Sequence, residues 1–273
     1  MNSPVTAVRI HAVDGDQTRE RPDRLVTEEP MEIRIQSPGR EAEALAVTMR
    51  TPGADFDLAV GFCLTEGVID GLADLASVAY CLSGQGPQEY NVVTVGVRHP
   101  VSVPTRNFVA NASCGLCGKT TLEEVSVRCP PVAPGPVVAS TTLTALPARL
   151  RECQATFAAT GGLHAAARFD PSGRLIAIRE DVGRHNALDK LIGNAALDGA
   201  LPLRDDILFV SGRISFEIVQ KAAVAGLPIV CAVSAPSSLA VEAADSFEQT
   251  LVGFLRNGRF NVYAGAGRID MAS

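Results

Sequence analysis

Two cysteines three positions apart carry the strongest chemical signal in the sequence. Cys114 and Cys117 stand in the run Ala-Ser-Cys-Gly-Leu-Cys-Gly-Lys at positions 112–119, where the glycines let the backbone present both sulfurs. The helical spacing of Thr120–Val127 predicts a helix directly after the pair. A helix N-terminus and Lys119 both favour the thiolate over the thiol. The pattern therefore predicts an accessible, nucleophilic pair of sulfurs.

Several interpretations of this pair compete. A buried structural pair suits the flanking glycines and the lysine poorly. A structural zinc site needs four ligands, and because the chain has no second Cys-x-x-Cys, Cys129 and a histidine would have to complete it. Gly115-Leu116 between the cysteines fits a thioredoxin-like redox motif badly. Redox chemistry and persulfide chemistry, in which a thiolate accepts sulfane sulfur and hands it on, both stay open on the residues alone.

A second group of candidate residues stands where predicted strands run into helices. Arg184 and His185 follow Gly183 after one strand, and Ser211-Gly212-Arg213 and Ser234–Ser238 repeat the arrangement further along. Helix N-terminal N–H groups and an arginine together form an anion site, and ligands of open α/β sheets bind at such strand ends. The repetition predicts that these turns open at one edge of a sheet.

A structural role would also explain the first of these turns. Asp181 would cap the helix, and Asp189 would pair with an arginine or a lysine. His164 begins an apolar strand, which is more typical of a core histidine than of a ligand. No Ser-His-Asp triad and no Walker loop is recognisable in the sequence.

A further candidate is a hairpin rich in arginine near the end of the chain. It comprises Phe254, Leu255, Arg256, Asn257, Gly258 and Arg259. The Asn-Gly pair is typical of a type I′ turn, so the two arginines would flank a two-residue loop. The rings of Phe254 and Phe260 would either stack on a base or pack in the core. An ordinary exposed hairpin with solvated arginines would fit the same residues.

Composition narrows the class of protein. A chain of 273 residues that is 47% hydrophobic and 20% charged can bury a core, which excludes a mainly disordered protein. Twenty-four Lys plus Arg against 30 Asp plus Glu give a net charge of −6, which argues against a general nucleic-acid binder. Of these 24 cations 21 are arginines, a bias that genome composition or bidentate phosphate recognition would explain.

The sequence also indicates a compartment. The polar first 24 residues contain no apolar targeting core, and no apolar stretch approaches the roughly 20 residues that span a bilayer. We therefore expect a cytoplasmic protein without membrane contact. Its seven cysteines, an odd number, would be reduced there, so pairing is not expected.

Turn residues and prolines predict four segments. Residues 1–24 are expected to be a mobile arm, 25–128 a small α+β region ending in the cysteine loop, and 129–136 a stiff proline-rich connector. Residues 137–273 alternate strands and helices, which predicts an α/β domain. Specific expectations include a helix over Asp57–Glu66 capped by Asp55 and a single helix over Leu143–Ala159.

In their order along the chain these motifs resemble the formate dehydrogenase accessory sulfurtransferase family (FdhD). The resemblance covers about residues 25–265 and rests on Ser113–Gly118, Gly161–Ala166, Glu180–Lys190, Ser211–Arg213 and Phe254–Arg259. It implies an α/β fold, namely a cytidine-deaminase-like three-layer sandwich with the smaller N-terminal α+β region. It also implies a homodimer.

The resemblance implies an activity and partners as well. Sulfur would pass from a cysteine desulfurase to a molybdenum (or tungsten) bis(molybdopterin guanine dinucleotide) cofactor, which formate dehydrogenase then receives. Cys114 matches the persulfide-bearing cysteine, Cys117 is its partner, and Phe254–Arg259 match the segment that binds the guanine dinucleotide. The domain at residues 137–273 would bind this cofactor. The turn residues Arg184, His185, Ser211, Gly212 and Arg213 would complete the site, and no metal would be held directly by side chains.

One departure and three rival functions bear on this expectation. The family usually has glycine where Asn257 stands and a polar residue where Gly258 stands, which leaves the geometry of that turn open. Deamination requires His-x-Glu or Cys-x-Glu, and no histidine or cysteine here has Glu two positions later. A chaperone that binds the cofactor without transferring sulfur is the second rival. A binding module stabilised by a metal ion is the third.

Overall fold

Two β-sheets and the helices that pack on them form the body of the protein. A computed structural model describes residues 3–81, 90–101, 108–110 and 131–272. The elements before the proline-rich connector are β1 (Val5–Asp14), β2 (Gln17–Val26), β3 (Glu29–Gln36), β4 (Glu43–Arg50), α1 (Asp55–Thr65), β5 (Leu75–Tyr80), β6 (Val92–Val97) and β7 (Phe108–Ala110).

The elements after the connector alternate between strands and helices. They are β8 (Val138–Ala139), α2 (Ser140–Cys153), α3 (Ala155–Thr160), β9 (His164–Phe169), β10 (Leu175–Asp181), α4 (Arg184–Leu197), β11 (Ile207–Val210), α5 (Phe216–Val224), β12 (Ile229–Ala232), α6 (Ser238–Ser246), β13 (Thr250–Arg256), β14 (Arg259–Ala264) and β15 (Ile269–Asp270).

The first residues form a hairpin, so the prediction of a mobile arm over residues 1–24 is corrected. β1 and β2 pair antiparallel along their whole length, from Val5 opposite Val26 to Asp14 opposite Gln17. Gly15 turns the chain with a φ of 58°. Both faces of this two-stranded ribbon are largely exposed, so charged side chains occur on both. The alternation of apolar and polar residues that identifies a strand is therefore weak here.

A five-stranded sheet and α1 make up the rest of the N-terminal region. The strand order is β5-β6-β3-β4-β7, and the apolar face of this sheet packs on α1 through residues such as Ile33, Val95 and Leu58. The predicted cap of α1 is wrong: Ala54 is the N-cap residue, and the Asp55 carboxylate instead lies 2.9 Å from the Arg50 guanidinium. A buried guanidinium requires a charged partner, which outweighs a local cap.

The second sheet has helices on both faces and confirms the predicted α/β sandwich. Its strand order is β10-β9-β11-β12-β13-β14. Helices α4, α5 and α6 cover one face in one apolar cluster, and α2 covers the other face through Leu143, Leu146 and Leu150. The single helix predicted over Leu143–Ala159 is two helices that break at Gln154. Glu180 accepts a hydrogen bond from the Phe157 N–H at 3.3 Å, which favours a new helix start there.

Helices α1 and α4 join the two regions at a close crossing. A Cβ placed on Gly61 would lie 1.9 Å from the carbonyl oxygen of Asp189, and one placed on Gly193 would lie 1.8 Å from that of Asp57. Only glycine therefore allows this separation of the two helices. The described part of the connector, residues 131–136, contains no helix or strand.

Candidate functional site

Strand direction brings the predicted turns to one edge of the second sheet. β11, β12 and β13 are parallel, with Val210 opposite Ala232 and Cys231 opposite Val252. β9 and β10 run so that His164 and Asp181 are opposite each other at the same end. The turns after β10, β11 and β12 and the loop joining β13 to β14 thus share one edge, hereafter the strand-end edge.

Backbone hydrogen bonds hold these turns together. The N–H of Ser211 donates to the Ala165 carbonyl at 2.9 Å, and the Ser211 hydroxyl accepts from the Ala165 N–H at 2.9 Å. The N–H of Phe254 donates to the Ser234 carbonyl at 3.1 Å, which joins the β13–β14 hairpin to the turn after β12. The strand-end edge is therefore a continuous hydrogen-bonded surface. Ser211 acts in it as a structural link.

The turn that starts α4 contains a buried network of charged and polar side chains. Asp181 is fully buried, and its Oδ1 accepts from the Gly183 N–H at 2.8 Å and from the Asn186 amide at 3.1 Å. Its Oδ2 lies 2.7 Å from Lys190 Nζ. The salt bridge of Asp181 is confirmed, but the predicted cap is wrong: Gly183 is the N-cap residue of α4, and no side chain of the described residues caps this helix. The contacts of Asp181 do not involve Arg184, whose buried Nε has no hydrogen-bond partner among the described residues.

Two histidines lie beside this turn. His185 Nε2 lies 3.0 Å from Glu217 Oε2 and 3.3 Å from the Ser215 hydroxyl. His164 borders Gly212, since a Cβ on that glycine would lie 3.4 Å from His164 Nδ1. Burial lowers the pKa of His164, and the nearby Arg184 and His185 lower it further.

Sequence reasoning missed His164 as a candidate. The residue begins β9, and its register opposite Asp181 brings it to the strand-end edge. The apolar strand that follows it favoured a core role. Only the antiparallel pairing of β9 with β10 shows that its side chain is next to the arginine turns.

The arginine hairpin has the predicted turn. Arg256 is opposite Arg259, and Asn257 and Gly258 have φ angles of 54° and 72°, as a type I′ turn requires. Both arginines are exposed, and the guanidinium of Arg256 lies 5.7 Å from the centroid of the Phe254 ring. The hairpin therefore presents two cations and an aromatic ring beyond the strand-end edge.

Two residues of this hairpin depart from simple expectations. Leu255 is fully buried in the core beside α2, so its side chain is not offered to a ligand as predicted. Phe254 has a φ of 53°, a left-handed conformation that is strained for a large side chain. The strain accompanies an irregularity in strand pairing between Gly253 and Arg256.

The predicted sulfur pair, Cys114 and Cys117, lies outside the described residues. The last described residue before it is Ala110 at the end of β7, which is opposite Thr48 of β4. The Thr48 hydroxyl lies 3.2 Å from the amide nitrogen of Asn186 in the first turn of α4. The chain thus leaves the described structure toward the cysteines near the strand-end edge.

Neither a metal site nor a membrane-spanning helix is evident in the described part of the chain. Within it, no group of three or more His, Cys, Asp or Glu side chains could hold a metal ion. None of the helices it contains is long and apolar enough to cross a membrane.

The fold and this edge define a class: a three-layer α/β protein whose strand-end turns present arginines where such folds bind ligands. A model of the FdhD/NarQ family matches residues 26–270. The chain therefore belongs to the FdhD/NarQ family.

Two relatives, each about 50% identical to this chain, carry the same description. A sulfur carrier protein FdhD from Nocardia farcinica is 51% identical over 279 residues, covering 100% of this chain and 98% of that protein. A sulfur carrier protein FdhD from Streptomyces coelicolor is 52% identical over 260 residues, covering 92% of this chain and 90% of that protein. A crystal structure of a candidate formate dehydrogenase accessory protein from Desulfotalea psychrophila has a TM-score of 0.77 at 22% identity, and the match covers 98% of this chain and 100% of that chain. This structure shows that the fold is shared.

Proposed function

We propose that this protein is a sulfur carrier in the maturation of formate dehydrogenase. Cys114 would receive persulfide sulfur from a cysteine desulfurase, and the sulfur would pass to a molybdenum bis(molybdopterin guanine dinucleotide) cofactor at the strand-end edge. Formate dehydrogenase would then receive the cofactor. The protein would act as a cytoplasmic homodimer.

The observation that best supports this proposal is that four arginines lie at the strand-end edge. Arg184 and Arg213 follow two different strands, and Arg256 and Arg259 flank the turn of a hairpin. Strand direction brings these three turns to the same side. Guanidinium groups bind phosphate oxygens bidentately, and turn N–H groups add neutral donors. A ligand with two diphosphates matches a site of this charge on a protein whose net charge is −6.

The short segment between Ala110 and Cys114 supports delivery of sulfur to the same edge. Cys114 is four residues beyond Ala110, and four extended residues span at most about 14 Å. Ala110 is opposite Thr48, which contacts Asn186 in the first turn of α4. The sulfur of Cys114 is therefore within reach of the turn that carries Arg184.

Receipt and delivery of sulfur each proceed by attack of a thiolate on a persulfide sulfur. The Cys114 thiolate attacks the outer sulfur of the desulfurase persulfide, forming a Cys114 persulfide and releasing the desulfurase thiolate. For delivery, Cys117 attacks the inner sulfur, which leaves a Cys114–Cys117 disulfide and releases sulfide for the cofactor. In the other route Cys117 only tunes the thiolate character of Cys114, and an external thiol attacks the inner sulfur, forms a mixed disulfide with Cys114 and releases the sulfide.

The first experiment tests sulfur loading. The protein is incubated with a cysteine desulfurase and cysteine, and its intact mass is measured. We expect a gain of one sulfur atom that Cys114→Ala abolishes and that Cys153→Ala, which removes an exposed cysteine elsewhere, leaves unchanged. Equal loading of Cys114→Ala would refute the role of this cysteine.

A second experiment separates sulfur transfer from simple cofactor binding. Guanosine diphosphate should raise the melting temperature of the wild type, and Arg256→Ala should reduce this rise. A chaperone without sulfur chemistry would show the same rise but would keep full formate dehydrogenase maturation in Cys114→Ala cells. Loss of maturation in these cells supports the sulfur carrier.

A further inference from the structure

The β1–β2 hairpin is separate from the two large sheets of the protein. It forms a two-stranded sheet with ten residues in each strand. No third strand pairs with it among the described residues. An isolated two-stranded hairpin is only marginally stable in water, and a further strand or a packed face normally supports it. The hairpin therefore lacks the support that a third strand would provide.

The alternation of hydrogen bonds shows which backbone groups of β1 point away from β2. The Thr27 N–H donates to the Pro4 carbonyl at 2.9 Å, and the pairing continues in register to Asp14 opposite Gln17. In an antiparallel pair of strands, every second residue exchanges hydrogen bonds with the residue opposite. The even-numbered residues of β1 thus bond to β2, and the odd-numbered residues direct their N–H and carbonyl groups outward.

The two outer edges of the hairpin differ in their capacity to accept a further strand. Pro22 of β2 is opposite Arg9, so it occupies an outward-facing position but has no N–H to donate. On β1, the N–H and the carbonyl of Val5 are bonded to the Ser3 hydroxyl, at 3.2 and 2.9 Å. The remaining outward-facing residues of β1 have no backbone partner in the described part of the chain; they are Ala7, Arg9, His11 and Val13. The outer edge of β1 is therefore the edge at which another strand can pair.

We propose that the outer edge of β1 pairs antiparallel with β1 of a second copy of this chain, so that two hairpins form one four-stranded sheet across a two-fold axis. The pairing goes beyond sulfur transfer and rests on one part of the proposed function, the homodimer, whose interface it specifies. Strand addition of this kind gains affinity from backbone hydrogen bonds and specificity from alternate side chains. A two-fold axis requires that both copies contribute the same surface, and one strand edge meets that requirement.

The open backbone groups determine the register of this pairing. With Ile10 opposite Ile10 of the second copy, Arg9 is opposite the second copy's His11, and Ala7 is opposite its Val13. All open residues of both copies then form hydrogen-bonded pairs, which together contain about eight hydrogen bonds.

Neighbouring registers fit less well. A register centred on Arg9 would place two arginines directly opposite each other and would use Val5, which already bonds to Ser3. A register centred on His11 would leave Ala7 opposite Gly15, which lies outside the strand. The register centred on Ile10 avoids both conflicts.

The side chains also complement each other in this register. Val8 is opposite Ala12 of the second copy, on either side of the Ile10 pair, and all three residues are partly buried already within the hairpin. The pairing would thus join two apolar stripes into one. On the other face, Arg9 and His11 each lie 3.8 Å from Glu20, which supplies a negative charge beside the pair that they form across the interface.

Cysteine cross-linking tests the register. Ile10→Cys would bring two cysteines to a Cα–Cα distance of about 4.5 Å, which a disulfide spans. Ala12→Cys is the matched control on the same strand and face, because its two copies would be four residues out of register and about 14 Å apart. Under mild oxidation, Ile10→Cys should give a disulfide-linked dimer on a non-reducing gel, and Ala12→Cys should give no more than the wild type. Mass spectrometry of the digested band identifies the linked cysteines.

Two proline variants test which edge pairs. His11→Pro removes an outward N–H of β1, and Glu20→Pro removes the outward N–H of the residue opposite on β2. Both variants lose the exposed contact between His11 and Glu20, and neither removes a hydrogen bond between the two strands. His11→Pro should weaken dimerisation about tenfold or more in sedimentation equilibrium, because two symmetry-related hydrogen bonds are lost. Glu20→Pro should dimerise as the wild type does.

Other results identify which idea fails. A dimeric wild type in which Ile10→Cys cross-links no more than Ala12→Cys would overturn the pairing and leave a homodimer with another interface. Equal weakening of the dimer by both proline variants would also overturn it. A monomeric wild type would overturn both the pairing and the homodimer. Sulfur loading of the wild type is a separate measurement, and its failure would overturn the sulfur-carrier role whatever the oligomeric state.

Discussion

The buried ion pair of Lys221 and Asp189 allows a quantitative test of how α1, α4 and α5 are held together. Lys221 Nζ lies 3.0 Å from Asp189 Oδ1, donates to the Thr65 hydroxyl at 2.7 Å, and lies 3.1 Å from Glu66 Oε1. The side chains of Lys221 and Asp189 are 6% and 3% exposed. An exposed pair would contribute about 0–1 kcal/mol, whereas breaking a buried pair costs about 3–5 kcal/mol.

Lys221→Met is the informative perturbation. It leaves the Asp189 carboxylate buried with Thr65 as its remaining partner, so we expect a loss of about 3–5 kcal/mol in the free energy of unfolding. Asp189→Asn should cost less, because Lys221 keeps its contacts with Glu66 and Thr65. Urea unfolding at pH 7.5 measures both losses.

The sign of the pH dependence is a second prediction for the same variant. Burial raises the pKa of Asp189, and Lys221 opposes that rise. Without Lys221 the native pKa climbs further above the unfolded value, so the native state binds more protons than the unfolded state. The deficit of Lys221→Met should therefore be largest near pH 7.5 and shrink as the pH falls toward 5.5.

Two outcomes would refute this reasoning. A loss below about 1 kcal/mol at pH 7.5 would mean that the pair behaves as an exposed one. A deficit that grows on acidification would mean that removing Lys221 does not raise the native pKa of Asp189. The double variant Asp189→Leu and Lys221→Met removes both charges and should recover part of the loss, which serves as the control.

Three further predictions concern packing and the strand-end edge. Gly61→Ala should lower the free energy of unfolding by about 3 kcal/mol or more, because its Cβ would enter the backbone of α4; thermal melting measures this loss. Arg213→Ala should weaken the melting-temperature rise caused by guanosine diphosphate, while Arg174→Ala, whose side chain is 79% exposed at the other end of the sheet, should not. Affinity for guanosine diphosphate, measured by calorimetry, should increase in the wild type relative to His164→Gln as the pH falls below about 6.5, because an anion beside Arg184 favours protonated His164, whose pKa is lowered in the free protein.

Much of the second region could be predicted from local patterns. The apolar strands 207–210 and 229–232 are short, continuous and bounded by turn residues, and the helices between them end at glycine. Asn257-Gly258 specified its turn type directly, since both positions require a positive φ. These signals depend on a few neighbouring residues, so they predict the local structure without knowledge of the fold.

The predictions for the start of α1 and for a single helix over Leu143–Ala159 were wrong because a side chain from another element determined the outcome. Asp55 is a residue type that is favoured at helix N-caps, yet its carboxylate pairs with Arg50. The helix expected over Leu143–Ala159 breaks where Glu180, from β10, meets the Phe157 N–H. In each case a tertiary contact outweighed the local preference.

Taken alone, the sequence determined the residue types of the site, the order of its turns and the alternation of strands and helices. Only the tertiary structure decided which turns meet, because strand direction and register place His164, Arg184 and Arg213 on one edge. The hydrogen bond between Thr48 and Asn186 likewise joins residues 138 positions apart. Local patterns reflect interactions between neighbours in the chain, whereas the site depends on hydrogen bonds and packing between segments that only the folded chain brings together.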